Sequence, residues 1–258
     1  MGSITVVKIG GSTLGSHDTA LADLAALHAE GLPLVVVHGG GGGVTAWLER
    51  HGVASRFVEG LRVTGADALD VVVAVLAGLV NKQLVAQLNA LGARAAGLSG
   101  ADGGLLRARR HRQELGFVGE ITAVDSGVLH DLLAAGFLPV VAPIAAEDDD
   151  GRLTGQLLNV NADTVAGELA RALSAAQLIF LTDVPGVLDS DGRLLERLSP
   201  AEAEGLLAAG TVGGGMIPKV QAALLAAAAG TRTLVLDGRV EHALTSAIHG
   251  RQVGTAIG

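Results

Sequence analysis

Short apolar runs alternate along this chain with Ala/Leu-rich stretches of helical length, and that alternation admits few folds. Residues 4–9, 34–37, 94–98, 138–143, 178–181 and 233–236 are too short for helices and are punctuated by Gly, Asp or Pro, which marks buried strands. Residues 18–30, 66–91, 126–135, 161–173 and 216–229 have the composition of helices, and a further helix is expected after Gly39–Gly43 as far as His51. Strand and helix in this order predict an α/β fold, a mainly parallel sheet covered by helices. Residues 105–112 and 117–123 read as the arms of a hairpin, and the acidic stretch 147–151 as a solvated loop tip. Ser199-Pro200-Ala201-Glu202 predicts a helix start, with serine as N-cap and proline at the first position.

The 258 residues suffice for one compact unit of one or two lobes, with a soft boundary near residues 174–180. No apolar run approaches the roughly 18 residues of a membrane span, and the first residues lack the basic and apolar regions of a secretory signal. A cytoplasmic protein with no membrane partner is expected. Cysteine is absent, which removes disulfides, thiolate chemistry and cysteine–zinc sites. A net charge of −8 and only 2% aromatic residues argue against nucleic acid, which recruits basic surfaces and stacking rings. An anionic substrate must then be met by locally concentrated positive charge, and the lysines are few: Lys8, Lys82 and Lys219.

Two predicted strand ends run into glycine: Lys8-Ile9-Gly10-Gly11-Ser12 and His38-Gly39-Gly40-Gly41-Gly42-Gly43. Glycine lets backbone N–H groups approach an anion closely, and a following helix adds its positive end. Neither loop has the G-x-x-x-x-G-K-[ST] spacing of a Walker A loop, and Val44 breaks the Rossmann fingerprint in the second. A glycine run alone is as often a bare turn; two at adjacent strand ends, one led by a lysine, point to anion binding. None of the eight histidines forms an obvious catalytic pair, and His38 reads as a structural hydrogen-bonding residue.

Further blocks accompany these loops: Glu59-Gly60-Leu61-Arg62-Val63-Thr64, Leu115-Gly116-Phe117-Val118-Gly119-Glu120, Asn159-Val160-Asn161-Ala162-Asp163, Leu181-Thr182-Asp183-Val184-Pro185-Gly186-Val187 and Gly215-Met216-Ile217-Pro218-Lys219. With them the chain resembles the amino-acid kinase family, and within it the acetylglutamate kinases, in an order that spans nearly its whole length. The resemblance implies a three-layer αβα sandwich of two lobes sharing the sheet. Residues 1–175 would bind the acyl amino acid and dimerise, and residues 176–258 would bind ATP. It implies transfer of the γ-phosphoryl group of ATP, with Mg²⁺ bridging ATP oxygens and no site where protein alone cages a metal, onto the side-chain carboxylate of N-acetyl-L-glutamate, a step of arginine biosynthesis.

Residue by residue, the resemblance gives Lys8 and Lys219 the task of flanking the transferring phosphoryl group, with Asp163 orienting both. Read alone, Asp163 is a first-turn helix aspartate favoured by the dipole. By the same resemblance Gly11 and Gly40 donate N–H groups to phosphoryl oxygens, and Gly40 and Gly41 form the substrate loop. Arg62 grips the α-carboxylate, Asn159 touches the substrate, and Asp183, Val184, Pro185, Gly186, Val187, Leu188, Thr211, Val212 and Gly213 meet the nucleotide. Ser12-Thr13 and Gly213-Gly214 depart from the usual family residues, the second pair on the ATP side. A homodimer with little arginine feedback is expected, because only seven residues precede Lys8. Two rival readings stand beside this one: a sister kinase whose glutamate or aminoadipate is attached to an amino-group carrier protein, and a non-catalytic sensor of arginine or nucleotide.

Overall fold

The computed structural model describes residues 2–10 and 19–258. The chain runs β1 (Thr5–Ile9), α1 (Ala20–Ala29), β2 (Leu34–His38), α2 (Gly41–Arg50), β3 (Phe57–Val58), β4 (Leu61–Arg62), α3 (Ala66–Val73), α4 (Asn81–Ala90) and β5 (Ala95–Ser99). It continues with β6 (Leu106–Arg110), β7 (Gly119–Val124), α5 (Gly127–Ala134), β8 (Leu138–Ala142), β9 (Ile144–Asp149), β10 (Arg152–Asn159) and α6 (Ala162–Ala172). Last come β11 (Gln177–Thr182), β12 (Arg197–Leu198), α7 (Pro200–Ala208), α8 (Met216–Ala227), β13 (Arg232–Asp237), α9 (Ala243–Ile248) and β14 (Thr255–Ile257).

The main sheet has the order β12-β14-β13-β11-β1-β2-β8-β5, and only the β13–β14 pairing is antiparallel. Strand β1 lies between β2 and β11, so the early and late parts of the chain share one sheet. All five residues of β1, β2 and β8 are buried, as expected of parallel strands covered on both faces. One face packs on α6 and α8 through Val165, Leu169, Val220 and Ala223. The other packs on α1, α4 and α9 through Leu24, Leu88 and Leu244. This is the three-layer αβα sandwich, with its hydrophobic core split by the sheet.

Two expectations need correction. The acidic stretch 147–151 is not a free loop tip but the end of a hairpin, in which β9 and β10 pair antiparallel around Asp150 and Gly151, both at positive φ. A second sheet, β10-β9-β6-β7, results. The first turn of α2 is made of Gly41–Gly43, so most of the glycine run is helix rather than loop. The helix expected over residues 66–91 is present: α3 and α4 are fused through a π-helical turn, Ala74–Val80, into one helix, Ala66–Ala90. Its best 18-residue stretch has a mean hydropathy of 1.7, long and apolar enough to cross a membrane by length and composition, although no single run signals it. In this fold the helix lies on the protein, with Val72, Val75, Leu76, Leu84 and Leu88 buried.

Helices α1 and α9 are clasped by two histidine–carboxylate contacts. His242 Nδ1 lies 2.7 Å from Oδ1 of the buried Asp23, and His249 Nε2 lies 3.4 Å from Glu30. The hydrogen bond and charge of Asp23 raise the His242 pKa above its ordinary 6.5. A raised folded-state pKa adds stability that is complete below the ordinary value and lost as pH rises through the raised one. The Tm deficit of His242→Ala relative to the parent should therefore shrink between pH 6 and pH 9; a deficit independent of pH would contradict an ionic clasp.

Candidate active site

Alternation along β1 sends Val6 to the face of α6 and α8, and Val7 and Ile9 to the opposite face. Lys8, two residues after Val6, therefore points toward α6 and α8 from within a fully buried strand. Helix α6 is capped by Asn161, whose Oδ1 accepts the N–H groups of Asp163 (2.8 Å) and Thr164 (3.1 Å), and this places Asp163 in the first turn. Helices α6 and α8 approach closely at Gly167, where a Cβ would lie 2.8 Å from the Ala222 Cβ. That approach carries Lys219, one turn earlier on α8, to Asp163.

The result is one carboxylate between two ammonium groups. Lys8 Nζ is 2.8 Å from Asp163 Oδ1, and Lys219 Nζ is 3.1 Å from Oδ2. All three residues are buried, with 6%, 5% and 9% exposure for Lys8, Asp163 and Lys219. Two cations against one anion leave a surplus positive charge in a place of low dielectric, which suits an incoming anion. Burial pushes the Lys8 pKa down; the attraction of Asp163 opposes this and the repulsion of Lys219 adds to it. The Lys8 contact is an ion pair without an aligned hydrogen bond, since Asp163 Oδ1 has no aligned donor among the described residues. Lys219 spends two donors, on Asp163 and on the Gly215 carbonyl at 3.0 Å, and its third has no partner among the described residues.

Beside this cluster lies a cavity of about 170 Å³ lined by Gly39, Gly40, Gly41, Arg62 and Asn159, with Asn161 and Ala162 immediately before Asp163. Gly40 caps α2, and a Cβ there would meet Leu76 Cδ2 at 2.5 Å, so no larger residue fits the observed packing. Following residues offer first-turn N–H groups at the positive end of the helix. Arg62 is held by Ser55 Oγ (2.6 Å), Thr45 Oγ1 (2.8 Å) and the Gly41 carbonyl (3.3 Å), and stacks 4.5 Å over the Phe57 ring. These acceptors are neutral, and among the described residues no carboxylate pairs with Arg62; burial alone lowers its pKa. A guanidinium fixed in this way is a preformed partner for a ligand carboxylate. Asn159 Nδ2 donates to Thr64 Oγ1 at 3.1 Å. Sequence reasoning missed Thr45, Ser55 and Thr64, whose partners are fixed only by the fold.

The predicted nucleotide segments lie at the end of β11 and before α8. Asp183 follows β11, where its charge is felt by both Lys8 and Arg239. Val187 donates its N–H to Thr255 Oγ1 at 2.8 Å, and Gly186 (φ 153°) has no room for a Cβ beside Thr255 and Leu194. The Val187 and Val212 side chains are buried in the same core cluster; Pro185 and Gly213 are exposed, Val184, Leu188 and Thr211 half-buried. Gly11 lies outside the described residues. Among the described residues no group of three His, Asp or Glu side chains converges as a metal cage.

A mainly parallel α/β sandwich in which one carboxylate on α6 bridges a lysine on β1 and a lysine on α8 accords with the class that the sequence matches: the chain belongs to the amino acid kinase family, whose match covers residues 3–237. Within that family its relatives are acetylglutamate kinases. That of Dehalococcoides mccartyi strain 195 is 43% identical over 256 residues, covering 98% of this chain and 94% of the relative. That of Synechococcus sp. strain RCC307 is 47% identical over 251 residues, covering 94% and 83%. The crystal structure of smu.665 from Streptococcus mutans UA159 superposes with a TM-score of 0.85 at 30% identity, over 100% of this chain and 99% of that one.

Proposed function

We propose that this protein is an ATP-dependent acetylglutamate kinase, transferring the γ-phosphoryl group to the side-chain carboxylate of N-acetyl-L-glutamate and releasing an acyl phosphate for arginine biosynthesis. The observation that supports it most is the buried Lys8–Asp163–Lys219 cluster, with its surplus positive charge, beside a cavity holding an arginine that pairs with no carboxylate among the described residues. Arg62 takes the α-carboxylate and Asn159 a second polar group of the substrate, which leaves the side-chain carboxylate toward the lysines. That carboxylate is ionised at neutral pH, so it attacks phosphorus without a general base. In the transition state negative charge spreads over the equatorial oxygens; Lys8, Lys219 and the Gly40 N–H offset it, and Gly11 takes part beside them. Asp163 holds each flexible ammonium in one position.

ATP is used as its Mg²⁺ complex, consistent with a metal held by phosphate oxygens and water more than by protein. We assign the acyl amino acid to residues 1–175 and the nucleotide to residues 176–258, the latter through Asp183, Val184, Pro185, Gly186, Val187, Leu188, Thr211, Val212 and Gly213. We further propose a cytoplasmic homodimer.

Purified protein given N-acetyl-L-glutamate, ATP and Mg²⁺ in hydroxylamine should form the hydroxamate of the acyl phosphate. Turnover only with a carrier-linked substrate would overturn the substrate assignment. Arg62→Ala should raise KM for N-acetyl-L-glutamate roughly 10- to 150-fold, the worth of about 1.5–3 kcal/mol for hydrogen bonds to a charged group. KM for ATP should stay within twofold, and an unchanged KM for the acyl amino acid would refute this role for Arg62.

A further inference from the structure

We propose that His38 and Asn81 are positioning residues that aim the Gly40 N–H at the transferring phosphoryl group; this rests on the reaction proposed above. Gly39 and Gly40 have no side chains to hold the peptide between them, so its orientation must be imposed from outside. The imposing groups form a relay from the surface inward. Lys82 Nζ donates to Asn81 Oδ1 and to the Gly97 carbonyl, each at 3.0 Å. With its oxygen engaged there, the Asn81 carboxamide turns Nδ2 inward, toward the Val140 carbonyl (2.8 Å) and His38 Nε2 (3.1 Å). A nitrogen that accepts from Asn81 carries no proton, so the imidazole proton sits on Nδ1. Nδ1 in turn donates to the Gly39 carbonyl at 3.1 Å.

The Gly39–Gly40 peptide is trans, as are all the described peptide bonds. In a trans peptide the N–H points opposite to the C=O. Drawing the Gly39 carbonyl onto the imidazole therefore directs the Gly40 N–H away from His38, and Gly39, Gly40 and Gly41 all line the cavity. The relay is built into the core: His38 and Asn81 have no exposure, and a Cβ on Gly97 would run into the Asn81 side chain. The π-helical turn Ala74–Val80 ends immediately before Asn81, and such turns are frequent at functional sites. Burial holds the His38 pKa at about 4, with Lys82 and Lys8 adding to the depression, so the ring stays neutral across the working pH range and the Asn81 contact selects its tautomer.

The test is steady-state kinetics of purified variants whose folding is checked by circular dichroism. His38→Leu removes the Nδ1 donor and should lower kcat about 30- to 100-fold, below the 10²–10³ of deleting an oxyanion donor outright because the amide is misaimed rather than lost. Both KM values should change less than threefold. His38→Asn, whose amide nitrogen stands where Nδ1 was, should recover most of kcat. Asn81→Asp supplies a signature no packing defect gives: its carboxylate attracts a proton to Nε2. Then Nδ1 remains a donor only while the imidazole is a cation, and kcat should fall with rising pH through a single ionisation absent from the parent. Equal kcat in His38→Leu and His38→Asn, or a flat profile for Asn81→Asp, would overturn the proposal. A parent enzyme inactive on N-acetyl-L-glutamate would instead overturn the reaction on which it rests.

Discussion

Lys8→Met is expected to lower kcat by about 10²–10³, the range for deleting one preorganised donor to a developing anion. KM for ATP and for N-acetyl-L-glutamate should each move less than about fivefold, because a contact that strengthens only in the transition state is lost from kcat and not from substrate binding. Folding should not suffer, since the substitution takes one of two cations from a single buried carboxylate and leaves Lys219 in place at 3.1 Å. Methionine keeps the length and apolar stem that the buried strand requires. Steady-state kinetics with both substrates varied decides it: a large rise in KM at unchanged kcat would make Lys8 a ground-state binding residue and remove it from the chemistry.

Asp163→Asn should have the opposite balance, a large stability loss with a comparable loss of rate. Removing the carboxylate leaves Lys8 and Lys219 facing one another in the interior, and breaking a buried ion pair from one side costs about 3–5 kcal/mol. Burial already pushes the Lys8 pKa down against the attraction of Asp163; without that attraction it falls further. A lysine whose folded-state pKa lies below its unfolded value destabilises the fold while protonated in both states, and the penalty lifts as pH rises. The stability deficit of Asp163→Asn in urea unfolding should therefore be largest near pH 6 and shrink toward pH 10. Saturating ATP should also recover part of it, because the triphosphate supplies the missing negative charge. A deficit that ignores both pH and nucleotide would mean that Asp163 acts through packing alone.

The fold was legible where residues are buried on both sides. Strands β1, β2, β8, β11 and β13 appear in sequence as largely apolar runs, β1 broken by Lys8, because helices cover both their faces. Strands β9 and β10 were not legible: Glu147 and Asp148 pair across the second sheet with Arg110 and Arg107, Asp148 also accepts the Gly151 N–H in the turn, and Asp149 stands opposite Arg152 in the ladder, and such polar, half-exposed strands resemble a loop. The glycine run misled for a related reason, since glycine has low helix propensity and only the capping position and the site explain its presence in the first turn of α2.

The candidate site divides in the same way. Lys8, Asp163 and Lys219 were found through motifs, and the strand alternation and the Gly167 contact explain how Lys8, on the first strand, comes to share one cluster with Asp163 and with Lys219, which lies 56 positions beyond Asp163. Holders of those groups stayed hidden. Thr45 and Ser55 carry no signal until Arg62 is seen to reach them, and His38 and Asn81, 43 positions apart, become a pair only when β2 is packed against α4. Sequence motifs mark residues that meet ligand; the residues that aim them are dictated by packing geometry.

The most direct measurement is the affinity of a transition-state mimic, MgADP with aluminium fluoride in the presence of N-acetyl-L-glutamate, for the parent and for Lys8→Met and Lys219→Met. Two ammonium groups trained on the migrating phosphoryl unit predict that each variant loses about 10²-fold in affinity for the mimic while binding MgADP alone as the parent does. Equal affinity for the mimic in all three proteins would contradict the account.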